Sequence, residues 1–217
     1  GAGGMLMYPA SVLAEMRRIC STHGVLFIAD EVMTGWGRTG TLFACAQAGI
    51  APDIACYSKG LTGGALPLAV TLCTVPIFDA HYSTDRTKTF FHSSSYTANP
   101  VACAAAAANL RLWEKDTTHR QLEHVVDMQE QAIAAFRDDA RFENVRRAGT
   151  ITALDLKVKD AGYLADVGPG LLAFFGARDL LIRPLGNTIY VMPPYCVSTN
   201  DLDEIYGAIR DAADALG

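Results

Sequence analysis

The 217-residue sequence has no excess of positive charge: 18 Lys and Arg stand against 23 Asp and Glu, a formal net charge of −5. The basic residues are scattered, which removes the electrostatic footprint that nucleic acid or an anionic membrane surface requires. No apolar run reaches the length of a membrane span, and the first residues lack the basic-then-apolar order of a signal peptide. The cysteines (Cys20, Cys45, Cys56, Cys73, Cys103 and Cys196) contain no C-x-x-C and no regular spacing, so no disulfide framework is indicated. Most of them lie inside apolar stretches, as reduced, core-filling thiols of a cytoplasmic protein do. The histidines make no metal pattern; His119 and His124 would point in different directions on a helix, and both are expected at the surface. Internal repeats are absent, and the one low-complexity feature is an alanine run.

What remains is an ordinary globular composition, 50% hydrophobic and 19% charged, at a length that fits one large domain or two modest ones. The glycine-rich start, GAGGMLMY, follows no strand and so gives little support to a dinucleotide-binding loop. Beginning in mid-loop without an initiating Met, it reads as a fragment or a processed chain, the C-terminal portion of a longer protein. Pro9 to His23 patterns as a helix with Val12, Leu13, Met16, Ile19 and Cys20 on one face. VLFIAD, DIACYS and Leu68 to Thr74 read as strands, with a short helix near Phe43 to Ala48 and a glycine turn at KGLTGG. Residues 82 to 97 are a long polar loop. Asn99 and Pro100 open a strong alanine-rich helix, and a second helix over Thr118 to Asp139 turns Leu122, Val125, Val126, Gln129, Ile133 and Phe136 inward. Near residue 115 the elements become short. Two strands are broken at Gly149, a helix spans Pro169 to Arg178, strands cover Leu180 to Arg183 and Thr188 to Met192, and Ser198 or Thr199 caps a last helix. The whole is an α/β architecture.

The chemistry concentrates between Val25 and Gly64. Two short apolar runs, VLFIAD and DIACYS, suit strands buried on both faces of a parallel sheet, and each ends in polar residues: Asp30-Glu31 and Ser58-Lys59. Ligands of open α/β sheets sit beyond the carboxyl ends of the strands. An acid and an amine at adjacent strand ends are the parts needed to hold and use pyridoxal 5'-phosphate (PLP). Lysine becomes a useful nucleophile where a less solvated or cationic setting lowers its pKa. Gly60 lets the chain turn tightly behind Lys59. Asp30 would keep the pyridine nitrogen protonated so that the ring accepts electrons. Strand alternation points Glu31 away and returns Val32 to the side of Asp30, where it packs either on the ring or in an ordinary core. Singly, each residue has a plainer role: a lysine snorkelling from a strand end, or an acid capping a helix.

Together, ADEVMTGWGRTG, APDI and the lysine of SKGLTGG resemble the class III (ω-amino) aminotransferases over essentially the whole chain. The resemblance implies the PLP-dependent transferase fold type I. Residues 1–115 would then be the C-terminal part of the large, cofactor-binding domain, and 116–217 the small C-terminal α/β domain. It also implies PLP as cofactor, Asp30 as the pyridine-nitrogen partner and Lys59 as the lysine that holds the cofactor covalently and acts as general base. A cytoplasmic homodimer with active sites shared between subunits follows, acting on small-molecule substrates, with no nucleic acid, membrane or metal.

IRPLGNTIYVMPPY and the opening GAGGM, followed by a tyrosine and proline, are similar to the biotin-pathway branch of the family. That branch implies amino transfer from S-adenosylmethionine to 8-amino-7-oxononanoate, with Arg183 on the substrate carboxylate through its planar fork. The plainer alternative for Arg183 is a surface ion pair. Tyr190 either lines the same pocket or is a half-exposed strand tyrosine, and Arg38 either shapes the site entrance or makes a structural ion pair. HSSSYTANP departs from the His-Gly-Pro-Thr segment of the branch. It places Ser95, or Ser94, where a hydroxyl reaches the phosphate in the neighbouring subunit. The departure is closer to other members of the class, so ornithine, γ-aminobutyrate or β-alanine type substrates stay open. An inactive fragment also stays open, because family members are longer at the N-terminus and carry their phosphate loop there.

Overall fold

Pro9, fixed in an extended conformation, sets the start of the first helix, α1 (Ala10–Thr22), and Gly24 in the left-handed region follows its end. In the computed structural model, which describes residues 1–92 and 94–217, α1 belongs to a unit made of Pro9–Gly37 and Thr41–Thr118. Arg17 of α1 donates two hydrogen bonds to Asp53, at 2.6 and 3.2 Å, and Asp53 also accepts the Phe27 N–H at 2.7 Å. The Phe27 amide first, then Arg17, hold the Asp53 carboxyl below its ordinary range.

The sheet of this unit has the order β1 (Ile28–Asp30), β2 (Ile54–Tyr57), β3 (Val70–Cys73). β1 and β2 run parallel with Asp30 opposite Cys56, whereas β3 is antiparallel to β2. The two runs pair parallel as expected and the sheet is mixed, but the expected burial on both faces is corrected. The β2–β3 connection contains a 3-10 turn, Lys59–Thr62, and no crossover helix of the kind a parallel return uses. Burial reaches only the alanines at the strand centres, Ala29 and Ala55, while Ile28 and Leu72 stay more than half exposed. The apolar face of α1 forms as patterned, yet none of its residues is buried among those described. Two short helices, α2 (Ala44–Gln47) and α3 (Val75–His81), precede α4 (Pro100–Trp113), and residues 75–81 carried no helix in the sequence reading. Asn99 caps α4 by accepting the Val101 N–H at 3.0 Å. The loop expected over residues 82 to 97 contains one 3-10 turn, Arg86–Lys88, and its Ser93 lies outside the described residues.

The second unit comprises Gly1–Tyr8, Arg38–Gly40 and His119–Gly217. Its long helix α5 (Asp116–Ala134) buries Leu122, Val125, Gln129 and Ile133 as patterned, but Met128 rather than Val126 completes the inward face. An antiparallel sheet follows, of order β4 (Phe142–Ala148), β5 (Ile151–Leu156), β6 (Thr188–Val191), with α6 (Val167–Gly176) between β5 and β6 and α7 (Thr199–Leu216) at the end. Ser198 and Asp201 form a reciprocal capping box at the start of α7. Ile133, Phe136, Leu154, Leu156, Phe175, Ile189 and Ile209 are the centre of the core.

Leu180 to Arg183 is not a strand. The Ile182 N–H is satisfied by the Leu180 carbonyl, Pro184 has no N–H to offer, and pairing with β6 is limited to a bridge between Leu185 and Thr188. The cysteine reading is corrected as well. All six are free thiols, but only Cys45 is buried, because a cysteine inside an apolar stretch is buried only where that stretch is covered.

One polar chain crosses the core of this unit. Gln129, fully buried, donates to the carbonyls of Thr150 at 2.9 Å and Val191 at 3.4 Å, and accepts from the Tyr206 hydroxyl at 2.5 Å. The same hydroxyl lies 2.6 Å from Thr152 Oγ1, and burial pushes its pKa up. Tyr206→Phe is expected to lower the unfolding free energy by roughly 1–3 kcal/mol, because Gln129 Oε1 and Thr152 lose their partner without access to water. Urea unfolding of the two proteins measures this, and equal midpoints would contradict it.

Candidate active site

Parallel pairing brings the carboxyl ends of β1 and β2 to one edge of the sheet, so Asp30 and Lys59 emerge from neighbouring strand ends. The Glu31 N–H donates to the Cys56 carbonyl at 2.9 Å, which extends the pairing one residue past Asp30. Asp30 is exposed, and its Oδ1 accepts the Val32 N–H at 3.0 Å in an Asx turn. One carboxylate oxygen is thus used by the turn and the other is left for a ligand. Val32 is half-buried on the same turn.

Glu31 points the opposite way, as alternation requires, and is 1% exposed. Its carboxylate accepts the N–H groups of Ala44 (3.1 Å) and Cys45 (2.8 Å) at the start of α2 and the Thr34 hydroxyl (2.5 Å). Those bonds fold the segment after Asp30 back onto its own strand. Burial, and then the Glu31 carboxylate, push the Cys45 thiol up to about 11, so Cys45 is an inert core thiol.

The same segment delivers Trp36, 5% exposed with φ of 61°, onto the turn that follows β2. Its ring meets Phe43 edge-on at 5.6 Å and Trp113 at 6.3 Å. Gly60 lies directly under it: a Cβ at that position would sit 2.6 Å from Trp36 Cβ. Only glycine fits behind Lys59, which is a requirement of space rather than of dihedral angle. Lys59 itself is exposed, makes no ion pair among the described residues, and has φ of 45°, a left-handed conformation that a non-glycine residue adopts at a cost. An acid with a free oxygen and an unpaired amine at one sheet edge fit the donor set that PLP requires.

Arg38, Arg183 and Tyr190 belong to the other unit, and Ser94 and Ser95 to the unit of Asp30 and Lys59. The Arg38 guanidinium donates to the Pro193 carbonyl at 2.6 Å and lies 4.8 Å from the centre of the Tyr195 ring, so its partners are a carbonyl and a ring rather than a carboxylate. Its own carbonyl accepts the Thr150 N–H at 3.0 Å, and Gly149, with φ of 58°, packs so closely that a Cβ would sit 2.2 Å from the Thr39 carbonyl carbon. Arg38 is therefore built into the C-terminal unit.

Arg183, exposed, lines a mostly apolar cleft of about 370 Å³ with Tyr163, Leu164, Leu172, Pro184 and Leu185. Tyr190 is half-buried in β6 and is not among the described residues lining that cleft. Ser94 and Ser95 are both exposed, and Ser94 Oγ accepts the Tyr96 N–H at 3.3 Å. No group of three potential metal ligands exists among the described residues. The sequence reading passed over the packing role of Trp36, although a large aromatic between two glycines in GWG was a visible signal of a close backbone approach.

Residues 1–213 match the family model described as Aminotransferase class-III. The adenosylmethionine-8-amino-7-oxononanoate aminotransferase of Synechococcus elongatus is 44% identical over 217 residues, covering all of this chain and 50% of that protein. Its counterpart from Nitratidesulfovibrio vulgaris is 37% identical over 224 residues, covering 100% of this chain and 41% of that protein. The solved structure of the adenosylmethionine-8-amino-7-oxononanoate aminotransferase from Methanocaldococcus jannaschii superposes with a TM-score of 0.90 at 30% identity, over 100% of this chain and 52% of that one. The chain spans about half the length of the relatives it matches.

Gly60→Ala is expected to push Trp36 out of its packing, shifting tryptophan emission to the red and lowering stability by roughly 1–3 kcal/mol. Unchanged emission would show that the contact is not tight in solution.

Proposed function

Because the chain belongs to the class-III aminotransferases, we propose that it carries the covalent and electronic half of a transamination site, with Lys59 and Asp30 as its working residues. The class uses PLP and has the PLP-dependent transferase fold type I. When bound, PLP supplies an electron sink for negative charge at the substrate carbon. Asp30 would keep the proton on the pyridine nitrogen through the carboxylate oxygen that the Asx turn does not use. The Lys59 amine would hold the cofactor covalently between turnovers and, once freed by the donor amine, would serve as the general base that removes the proton from the donor carbon. Two half-reactions with one enzyme-held amino group between them make the kinetics ping-pong. The observation that carries this reading is the placement of an Asx-turn acid and an unpaired lysine on parallel neighbouring strand ends.

The substrates follow from the relatives and from Arg183. Those relatives are named for S-adenosylmethionine and 8-amino-7-oxononanoate, the reaction that forms 7,8-diaminononanoate in biotin synthesis. An unpaired arginine on an apolar cleft suits a carboxylate at the end of a hydrocarbon chain. Arg183 would fix that carboxylate, and Tyr190 and Arg38 are the further substrate-site candidates. A cytoplasmic homodimer would bring Ser94 or Ser95 to the phosphate in the partner site, which fits their exposure. A gamma aminobutyrate transaminase from Solanum lycopersicum is also 32% identical over this chain, and it supports the second reading, another ω-amino substrate.

Amino transfer from S-adenosylmethionine to 8-amino-7-oxononanoate, assayed with PLP present, separates these readings. Turnover should vanish in Lys59→Ala, while Arg183→Ala should raise the KM for the acceptor about tenfold or more. Activity on γ-aminobutyrate or ornithine with none on the biotin precursor would favour the second reading. No turnover on any of them, with the fold intact, would identify an inactive piece of such an enzyme.

A further inference from the structure

Lys59 holds a left-handed backbone conformation, and a strained residue persists only where its surroundings over-determine it. The Trp36 packing on Gly60 is one restraint. A second comes from α4. Asn109 Nδ2 donates to the Gly60 carbonyl at 2.8 Å and to the Leu61 carbonyl at 3.1 Å, so both amide hydrogens are spent on the carbonyls of the two residues that follow Lys59. The turn is closed internally by the Gly63 N–H on the Gly60 carbonyl, at 3.0 Å, and the Gly64 N–H on the Lys59 carbonyl, at 3.1 Å. Asn109 stands in the interior of an alanine-rich helix, where an asparagine is unfavourable unless its side chain has a task. Trp113, four residues on and hence on the same face, meets Trp36. One face of α4 thus restrains the turn directly through Asn109 and braces, through Trp113, the indole that presses on it.

We infer that Asn109 is a positioning residue for Lys59: it fixes the peptide plane behind the lysine and so the direction in which the amine leaves the turn. The inference rests on the reading of Lys59 as the cofactor lysine. It assigns Asn109 no contact with cofactor or substrate.

The test uses the 217-residue chain without turnover. Protein is incubated with limiting PLP and reduced with borohydride, and the label on Lys59 is compared by mass spectrometry with that on Lys88, Lys115, Lys157 and Lys159 in the same sample. Wild type should label Lys59 first. Asn109→Leu, similar in shape but without donors, should lower Lys59 labelling about tenfold while labelling of the other four lysines holds and the variant stays folded at the labelling temperature. An unchanged Lys59 ratio in a folded variant overturns the inference. If wild type shows no preference for Lys59, the cofactor reading is what fails. The clamp is then judged by amide exchange at Gly63 and Gly64, where about tenfold faster exchange in the variant supports it and equal rates overturn it. Should Asn109→Leu not fold, Asn109→Ser, which is too short to reach both carbonyls, replaces it in both measurements with the same criteria.

Discussion

The Trp36 indole resting on the α-carbon of Gly60 is the contact on which the rest of the candidate site depends. It joins the segment that leaves β1 after Asp30 to the turn that leaves β2 with Lys59. Neither chemical group takes part in the contact. The acid and the amine are placed by the packing of the chain behind them, which leaves both side chains free to meet a ligand. Glu31 serves the same end from the other side of the strand. By accepting two N–H groups of α2 and the Thr34 hydroxyl, it folds the DEVMTGW segment back so that Trp36 can reach the turn.

Residue types made some of this legible in advance and not the rest. The placement of Asp30 and Lys59 at neighbouring strand ends was readable because polar residues after short apolar runs have a place in any open α/β sheet. The opposite orientation of Glu31 followed from alternation alone, but its role as the cap of α2 did not, since nothing local announces which helix start a buried carboxylate will meet. The partners of Arg38 were unreadable for a related reason. An arginine among glycines suggests a charged entrance, and its actual partners, the Pro193 carbonyl and the Tyr195 ring, lie about 155 residues further along the chain.

The fold shows the same division. Local signals held: the Asn99-Pro100 helix start, the break at Gly149 and the Ser198 cap each lie within a few residues of the groups that satisfy them. Burial was the property least readable from pattern. The stripe on α1 and the apolar strand runs predicted cover that the described residues do not supply, and Cys73 and Cys103 are exposed for the same reason. Periodicity states which face is apolar, and only packing states whether it is covered. In the C-terminal unit the two agree, because α5, α6, α7 and the β4–β5–β6 sheet close a core of their own.

A crystal structure of the protein with PLP bound tests the central claim most directly. The account predicts continuous density from Lys59 Nζ to the cofactor, an Asp30 carboxylate oxygen within hydrogen-bond distance of the pyridine nitrogen, and the Trp36 ring still seated on Gly60. Density joined to another lysine, or a pyridine nitrogen with no carboxylate beside it, would contradict it.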